Sequence, residues 1–139
     1  GGKIIIKGIM EPEDARLAVD SGADALIVSN HGGRQLDGAP SAIAALPAIV
    51  DAVGQQIEVH MDGGIRSGQD VLKAWALGAR GTYIGRAFLY GLGAAGEAGV
   101  TKALQIIHKE LDTSMAFCGH TQIGQVDQHI LRPGTYPTA

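Results

Sequence analysis

Residues 21–38 read SGADALIVSNHGGRQLDG. An apolar run, Ala25 to Ser29, opens after a glycine and ends on a turn of Asn, His and two glycines. A run this short between turn residues has the length of one buried strand. The turn places a base, His31, three residues before a fixed cation, Arg34. Neither is buried without cost, so this strand is expected to end at a rim.

Three further runs share the pattern: Lys3 to Lys7, Ile57 to Asp62 and Thr82 to Gly85. Each meets a glycine or polar turn and then a segment of helical period. The first helix opens at Glu11-Pro12-Glu13-Asp14, with Pro in the first turn and acids on the positive end of the dipole, and ends near Gly22. The second covers Ala42 to Val53, with Ser41 as N-cap and Gly54 as stop. The third starts at Ser67-Gly68-Gln69-Asp70, which has capping-box spacing, and runs to Gly78. The fourth spans Val100 to Phe117, with Leu104, Ile107 and Leu111 on one face. Strands alternating with helices predict a parallel sheet with right-handed crossovers.

The shift that lays Gly8-Ile9 on Gly64-Ile65 also lays Asp14 on Asp70, Ala18 on Ala74, and Gly22-Ala23 on Gly78-Ala79. Two βα units can share glycines by chance; the alternative is a quasi-repeated (βα)2 unit of the kind found in barrels. Four βα units make half of an eight-stranded barrel, which needs at least about 200 residues, against 139 here. The expected fold is α/β: a (βα)4 half of a TIM (β/α)8 barrel, strands 5–8. Residues 1–118 form that half barrel, and 119–139 form a tail without clear periodicity, in which His129 to Leu131 adds a short turn and RPGTYP runs over the surface.

Composition narrows the function classes. Apolar residues make up 45%, charged residues 18%, and the net charge is −3. Lys and Arg are scattered and aromatics are few, so nothing argues for nucleic acid. The apolar runs are far shorter than a membrane span, and residues 1–10 lack a signal-peptide pattern. The single cysteine, Cys118, excludes an internal disulfide, fits a reducing compartment, and reads as a small packed residue.

In a barrel the catalytic groups sit at the C-terminal ends of the strands. Strand alternation turns Ser29 and His31 the same way if the strand persists that far. Lys7, Asp62 and Gly85-Arg86 hold the equivalent ends of the other strands, so four strand ends converge on one rim. A lone histidine in a glycine turn is usually a surface residue, and Arg34 or Lys7 could simply be solvated. Together they suit a proton abstraction: imidazole titrates near neutrality, and the guanidinium fork matches a carboxylate. DGGIRSG, residues 62–68, lets backbone amides approach an anion ahead of a helix N-terminus, and IGRAFLYG supplies a second Gly-Arg turn. Phosphate sites in these barrels follow strands seven and eight, so a phosphate-bearing cofactor is expected. His60 shares a face with Asp62 and is expected inside the barrel as a structural residue. His108, His120 and His129 lack metal-ligand spacing, and no metal is assigned.

KGI, GADALIVSNHGGRQLDG, DGGIRSGQDVLKAWALGA and IGRAFLYGL run in order from residue 7 to about residue 99. In these stretches the chain resembles the FMN-dependent L-2-hydroxy acid oxidising family: glycolate oxidase, lactate oxidase, L-lactate dehydrogenase and mandelate dehydrogenase. The resemblance implies Lys7 beside the flavin N1–C2=O edge, Ser29 hydrogen-bonded to the flavin, and His31 as the base. It implies Arg34 on the substrate carboxylate, Asp62 on ribityl hydroxyls, and Gly63, Gly64, Ile65, Arg66, Gly85 and Arg86 round the phosphate tail. The implied reaction oxidises a small L-2-hydroxy acid, L-lactate first among them, to the 2-oxo acid. The family's first four βα units are not in this sequence, and with them go substrate-contacting tyrosines, a second arginine, the carboxylate that orients the histidine, and a loop that in some members meets the membrane or the electron acceptor. The partner implied is therefore the N-terminal half of the same barrel, and two open sheet edges predict association, the full protein being a homo-oligomer. A cytoplasmic location is expected, with peripheral contact of the full protein with the inner membrane as the alternative. The rival function is a non-catalytic half barrel binding FMN or another phosphate-bearing ligand, though phosphate binding needs neither His31 nor Arg34.

Overall fold

A computed structural model describes residues 1–138. Four strands alternate with four helices: β1 (Ile5–Ile9), α1 (Pro12–Asp20), β2 (Ala25–Val28), α2 (Ala42–Val53), β3 (Glu58–Asp62), α3 (Gly68–Ala76), β4 (Gly81–Tyr83) and α4 (Arg86–Phe117). The strands form one parallel sheet in the order β1-β2-β3-β4, so every connection is a crossover to the next strand. This is the expected half barrel, with β1 and β4 each leaving an unpaired edge.

Alternation along the strands divides the sheet into two faces. Leu26, Val28, Val59 and Met61 are essentially fully buried on the outer face, against Leu46, Ile49 and Val53 of α2 and Ala15 of α1. Each such aliphatic residue contributes about 1.5–3 kcal/mol by leaving water, so the outer face holds the fold. On the inner face lie Lys7, Glu58, His60, Asp62 and Tyr83, all partly open. A second cluster joins Leu72 and Ala76 of α3 to Met115 of α4 and Val126 beyond it, so part of the segment after α4 is packed.

The helix signals hold where they are local. Ser67 and Asp70 close a reciprocal capping box at α3, and Pro12 opens α1 behind Glu11. Ser41 is the N-cap position of α2 but makes no side-chain cap bond, and Pro47 lies buried inside that helix. Several features differ from expectation: β4 ends at Tyr83, so Gly85 and Arg86 lie just beyond the strand end and not on it. β1 runs Ile5–Ile9, two residues later than expected, and its register slips between Lys7 and Ile9, leaving Gly8 as a bulge. α4 starts at Arg86, well before Val100, and breaks at Ala95 and Gly96, where the backbone leaves helical angles. Cys118 caps that helix and is exposed, not packed. After α4, short turns form at Ile123–Gln125 and Gln128–Ile130.

Candidate active site

Strand β2 ends at Val28, so alternation does not carry His31 to the rim. A tight 3-10 turn, His31–Gly33, does so. Asn30 organises it: its side chain accepts a hydrogen bond from the Gly32 N–H (3.0 Å) and donates to the Pro40 carbonyl (3.0 Å). His31 takes a left-handed φ of 56°, the only non-glycine residue to do so among those described. Such a conformation costs on the order of 1–3 kcal/mol and persists only where the surroundings enforce it. Here the His31 N–H donates to Ser29 Oγ (3.2 Å).

Ser29 is buried and ties the turn to β1, because Lys7 Nζ donates to the same Oγ at 2.6 Å. With two hydrogen bonds accepted, the Ser29 hydroxyl keeps its own proton to donate. Lys7 Nζ also reaches Asp62 Oδ2 at 2.6 Å, linking the ends of β1 and β3. The other carboxylate oxygen, Asp62 Oδ1, is buried and has no hydrogen-bond partner among the described residues. An orphaned anionic oxygen is expensive, and it suits a hydroxyl donor from a ligand.

Lys7, His31, Arg34, Asp62, Gly63, Gly64, Ile65, Arg66, Gly85 and Arg86 all line one open cleft of about 980 Å³. Ser29 is buried and does not line the cleft, but it bonds to Lys7 and His31, which do. The four strand ends thus converge as the sequence predicted. Gly63 and Gly64 are both left-handed (φ 85° and 82°), a turn that side chains rarely follow, and space beside Gly64 is open. The Ile65 side chain is buried in the core, so only its backbone can meet a ligand.

The two helix ends near the cleft differ. At α3 the Arg66 and Ser67 amides donate to Asp70 Oδ2 (3.0 and 2.9 Å), and the Gly68 amide donates to Glu110 Oε2 (2.9 Å). That helix end is already capped by carboxylates, contrary to the expectation that its dipole would serve an anion. At α4 the N-cap is Gly85, with no side-chain cap, so its first amides are open beside Arg86. The open helix end, the glycine turn, Arg66 and Arg86 share one side of the cleft, an arrangement whose chemistry suits an anion.

Sequence reasoning missed Tyr83, Ile84, Leu89 and Tyr90, which also line the cleft. Below it, Tyr83 Oη lies 2.9 Å from His60 Nδ1, and Glu58 Oε2 lies 3.1 Å from His60 Nε2. His60 is therefore inside the sheet's concave face with both nitrogens engaged. No group of metal ligands is found among the described residues. No described helix is long and apolar enough to cross a membrane.

The family described as FMN-dependent dehydrogenase matches residues 1–133. An L-lactate dehydrogenase of Caulobacter vibrioides (strain NA1000 / CB15N) is 55% identical over 130 residues, covering 94% of this chain and 34% of that protein. A pre-mycofactocin synthase of Mycobacterium tuberculosis (strain CDC 1551 / Oshkosh) is 53% identical over 123 residues, 88% of this chain and 31% of that protein. A crystal structure of mandelate oxidase with benzoyl-formic acid superposes with a TM-score of 0.85 at 50% identity, covering 88% of this chain and 36% of that one. The chain spans about a third of the length of the curated relatives it matches.

Proposed function

The chain belongs to the FMN-dependent dehydrogenase family, and from that premise we propose that it is the FMN- and base-bearing half of an enzyme that oxidises a small L-2-hydroxy acid, L-lactate first among them, to the 2-oxo acid. The remaining wall of the barrel comes from an N-terminal half of the same protein. Relatives named L-lactate dehydrogenase at 52–55% identity support the choice of lactate.

The cleft fits FMN. Asp62 Oδ1 is a buried acceptor in need of a donor, as ribityl hydroxyls provide. Gly63, Gly64, Ile65 and Gly85 offer backbone amides, and Arg66 and Arg86 offer charge, to a phosphate. Lys7 would stand by the flavin ring as a fixed cation, and Ser29 would donate its hydroxyl proton there. FMN, when bound, supplies the two-electron acceptor.

The chain's own residues do the rest. Arg34 holds the substrate carboxylate through its planar fork, which sets the 2-carbon against the neighbouring base. His31 accepts the substrate proton, from the 2-carbon by one route or from the 2-hydroxyl by the other. One observation carries this function: His31 and Arg34 share one turn that Ser29 and Lys7 anchor over the cleft.

The test is His31→Ala in the full protein loaded with FMN, mixed anaerobically with L-lactate and a panel of other L-2-hydroxy acids. Flavin reduction should fall by about 10²–10⁴-fold, the usual contribution of a general base, with FMN still bound. Reduction at the unaltered rate would remove His31 from its role.

A further inference from the structure

Gly8 has no assigned part in this chemistry, and its position is unusual. It is the bulged residue of β1: Lys7 pairs with Ile27 and Ile9 with Val28, so Gly8 has no partner on β2. Its φ is 104°. A Cβ built on it would lie 2.9 Å from His31 Cε1 and 3.8 Å from both Nδ1 and Nε2. Real Cβ atoms do not sit that close to a ring carbon, so the missing side chain is what admits the imidazole.

The pair of equal distances carries more. Cε1 lies between the two ring nitrogens, so the ring meets Gly8 edge-on, through its one C–H that flanks both. Neither nitrogen is covered by the contact. Among the described residues neither nitrogen has a hydrogen-bond partner, so both stay available, one for substrate and one for an orienting group. The same strand residue, Lys7, that anchors Ser29 immediately precedes Gly8. Backbone and ring of His31 are thus held from one short piece of β1: the backbone through Ser29, the ring through Gly8.

We propose that Gly8 is a positioning residue for His31: the bare bulge of β1 is the seat that sets where the imidazole stands over the cleft. This rests on His31 being the base. A methyl group at Gly8 displaces the ring while leaving Arg34 and the anion-accepting turns untouched. It should therefore lower the rate of proton abstraction and leave substrate and FMN binding nearly as they were.

A double-mutant cycle in the FMN-loaded full protein tests this, with anaerobic reduction by L-lactate as readout. Gly8→Ala should slow flavin reduction by about 10–100-fold, the scale of a misplacement near 1 Å, with KM changed by less than about threefold. In a His31→Ala background the same substitution should change the residual rate by less than about twofold, since no ring remains to displace. Backbone strain at φ 104° is present in both backgrounds and cancels from the cycle. An equal loss in both backgrounds, or no loss in the first, overturns the seat. If Gly8→Ala fails to load flavin, loading in the double variant decides: recovery supports the seat, and continued failure overturns it. A His31→Ala protein that reduces flavin normally overturns the base itself, an outcome distinct from loss with His31→Ala and none with Gly8→Ala.

Discussion

Helices α1 and α3 are each nine residues long and stop in the same way. Gly22 N–H donates to Val19 O and Gly78 N–H to Trp75 O (2.9 Å each), while Ala23 N–H reaches Ala18 O and Ala79 N–H reaches Ala74 O (3.0 Å each). This is one Schellman closure made twice, and it gives the internal repeat a structural counterpart. The turns before these helices differ. Lys7 and Asp62 are equivalent by register, facing Ile27 and Tyr83, yet Lys7 is followed by the single bulge glycine Gly8 within β1 and Asp62 by the turn glycines Gly63-Gly64. Gly8 is filled by an imidazole edge, whereas the space beside Gly64 is open. One extra glycine separates a strand bulge that seats a side chain from a turn that can receive a ligand. The repeat teaches that the βα frame is fixed by strand faces and helix caps, while the turn is free to vary in chemistry.

Repeat-related positions offer ways to break this comparison. The largest effect is expected at Leu26, fully buried on the outer face. Leu26→Ala should cost about 2–5 kcal/mol of unfolding free energy, against under about 1 kcal/mol for Thr82→Ala at the matching, half-buried place in β4. Urea denaturation of both variants measures the gap, and equal losses would show that the two units do not divide the core as described.

Next come the equivalent charges Lys7 and Asp62. Lys7→Met should slow flavin reduction by about 10²–10³-fold, the scale of one lost electrostatic stabiliser. Asp62→Asn should act mainly on FMN retention, read as faster loss of flavin on dilution. Exchange of the two outcomes would reverse the assignment of turns to flavin ring and ribityl chain.

The helix starts differ by less. Ser67→Ala removes a capping box and should cost about 1 kcal/mol, while Glu11→Ala, at a cap without a side-chain bond, should cost almost nothing. Thermal melts resolve that difference.

The smallest effect lies where Asp24 matches Arg80. Hydrogen bonds from Lys3, then from the Ile4 amide, hold the Asp24 carboxyl below its ordinary range, and Asp24 holds the Lys3 ammonium above its own. The carboxylate's contribution is complete above about pH 3.9, the unfolded value, and fades as pH falls through the lower folded one; Lys3's is lost as pH rises through its raised value. The denaturation midpoints of parent and Asp24→Asn should therefore converge in acid. Arg80 lies over the Trp75 ring, 5.2 Å from its centroid, and Arg80→Gln should show no such acid convergence.

Much of this was legible in the chain because its causes are local. A run of four or five apolar residues ending in glycine is short enough to name a strand, and Ser67 with Asp70 announces a helix start whatever surrounds it. That Lys7, His31, Asp62 and Arg86 lie near one rim was legible from strand order, though His31 and Arg86 reach it from beyond their strands. Other features had no local cause. β1 continues past Lys7 through a bulge at Gly8, and the 3-10 turn, not strand alternation, delivered His31. The first part of α4, from Arg86 to Gly99, carries four glycines between Gly91 and Gly99 and so reads as a break, whereas the structure confines the break to Ala95 and Gly96. Glu110, far away in sequence, occupies the α3 helix end that the glycine-rich turn had suggested for an anion.

By itself, then, the sequence determined the order of elements, the parallel sheet and the set of side chains brought to its rim, since periodicity and capping act within a few residues. Only the tertiary structure decided which atoms meet: the imidazole edge on Gly8, Lys7 between Ser29 and Asp62, the orphaned Asp62 oxygen. Those contacts join strands about twenty or more residues apart, and distances across a sheet depend on register and on bulges that no single stretch of chain reveals.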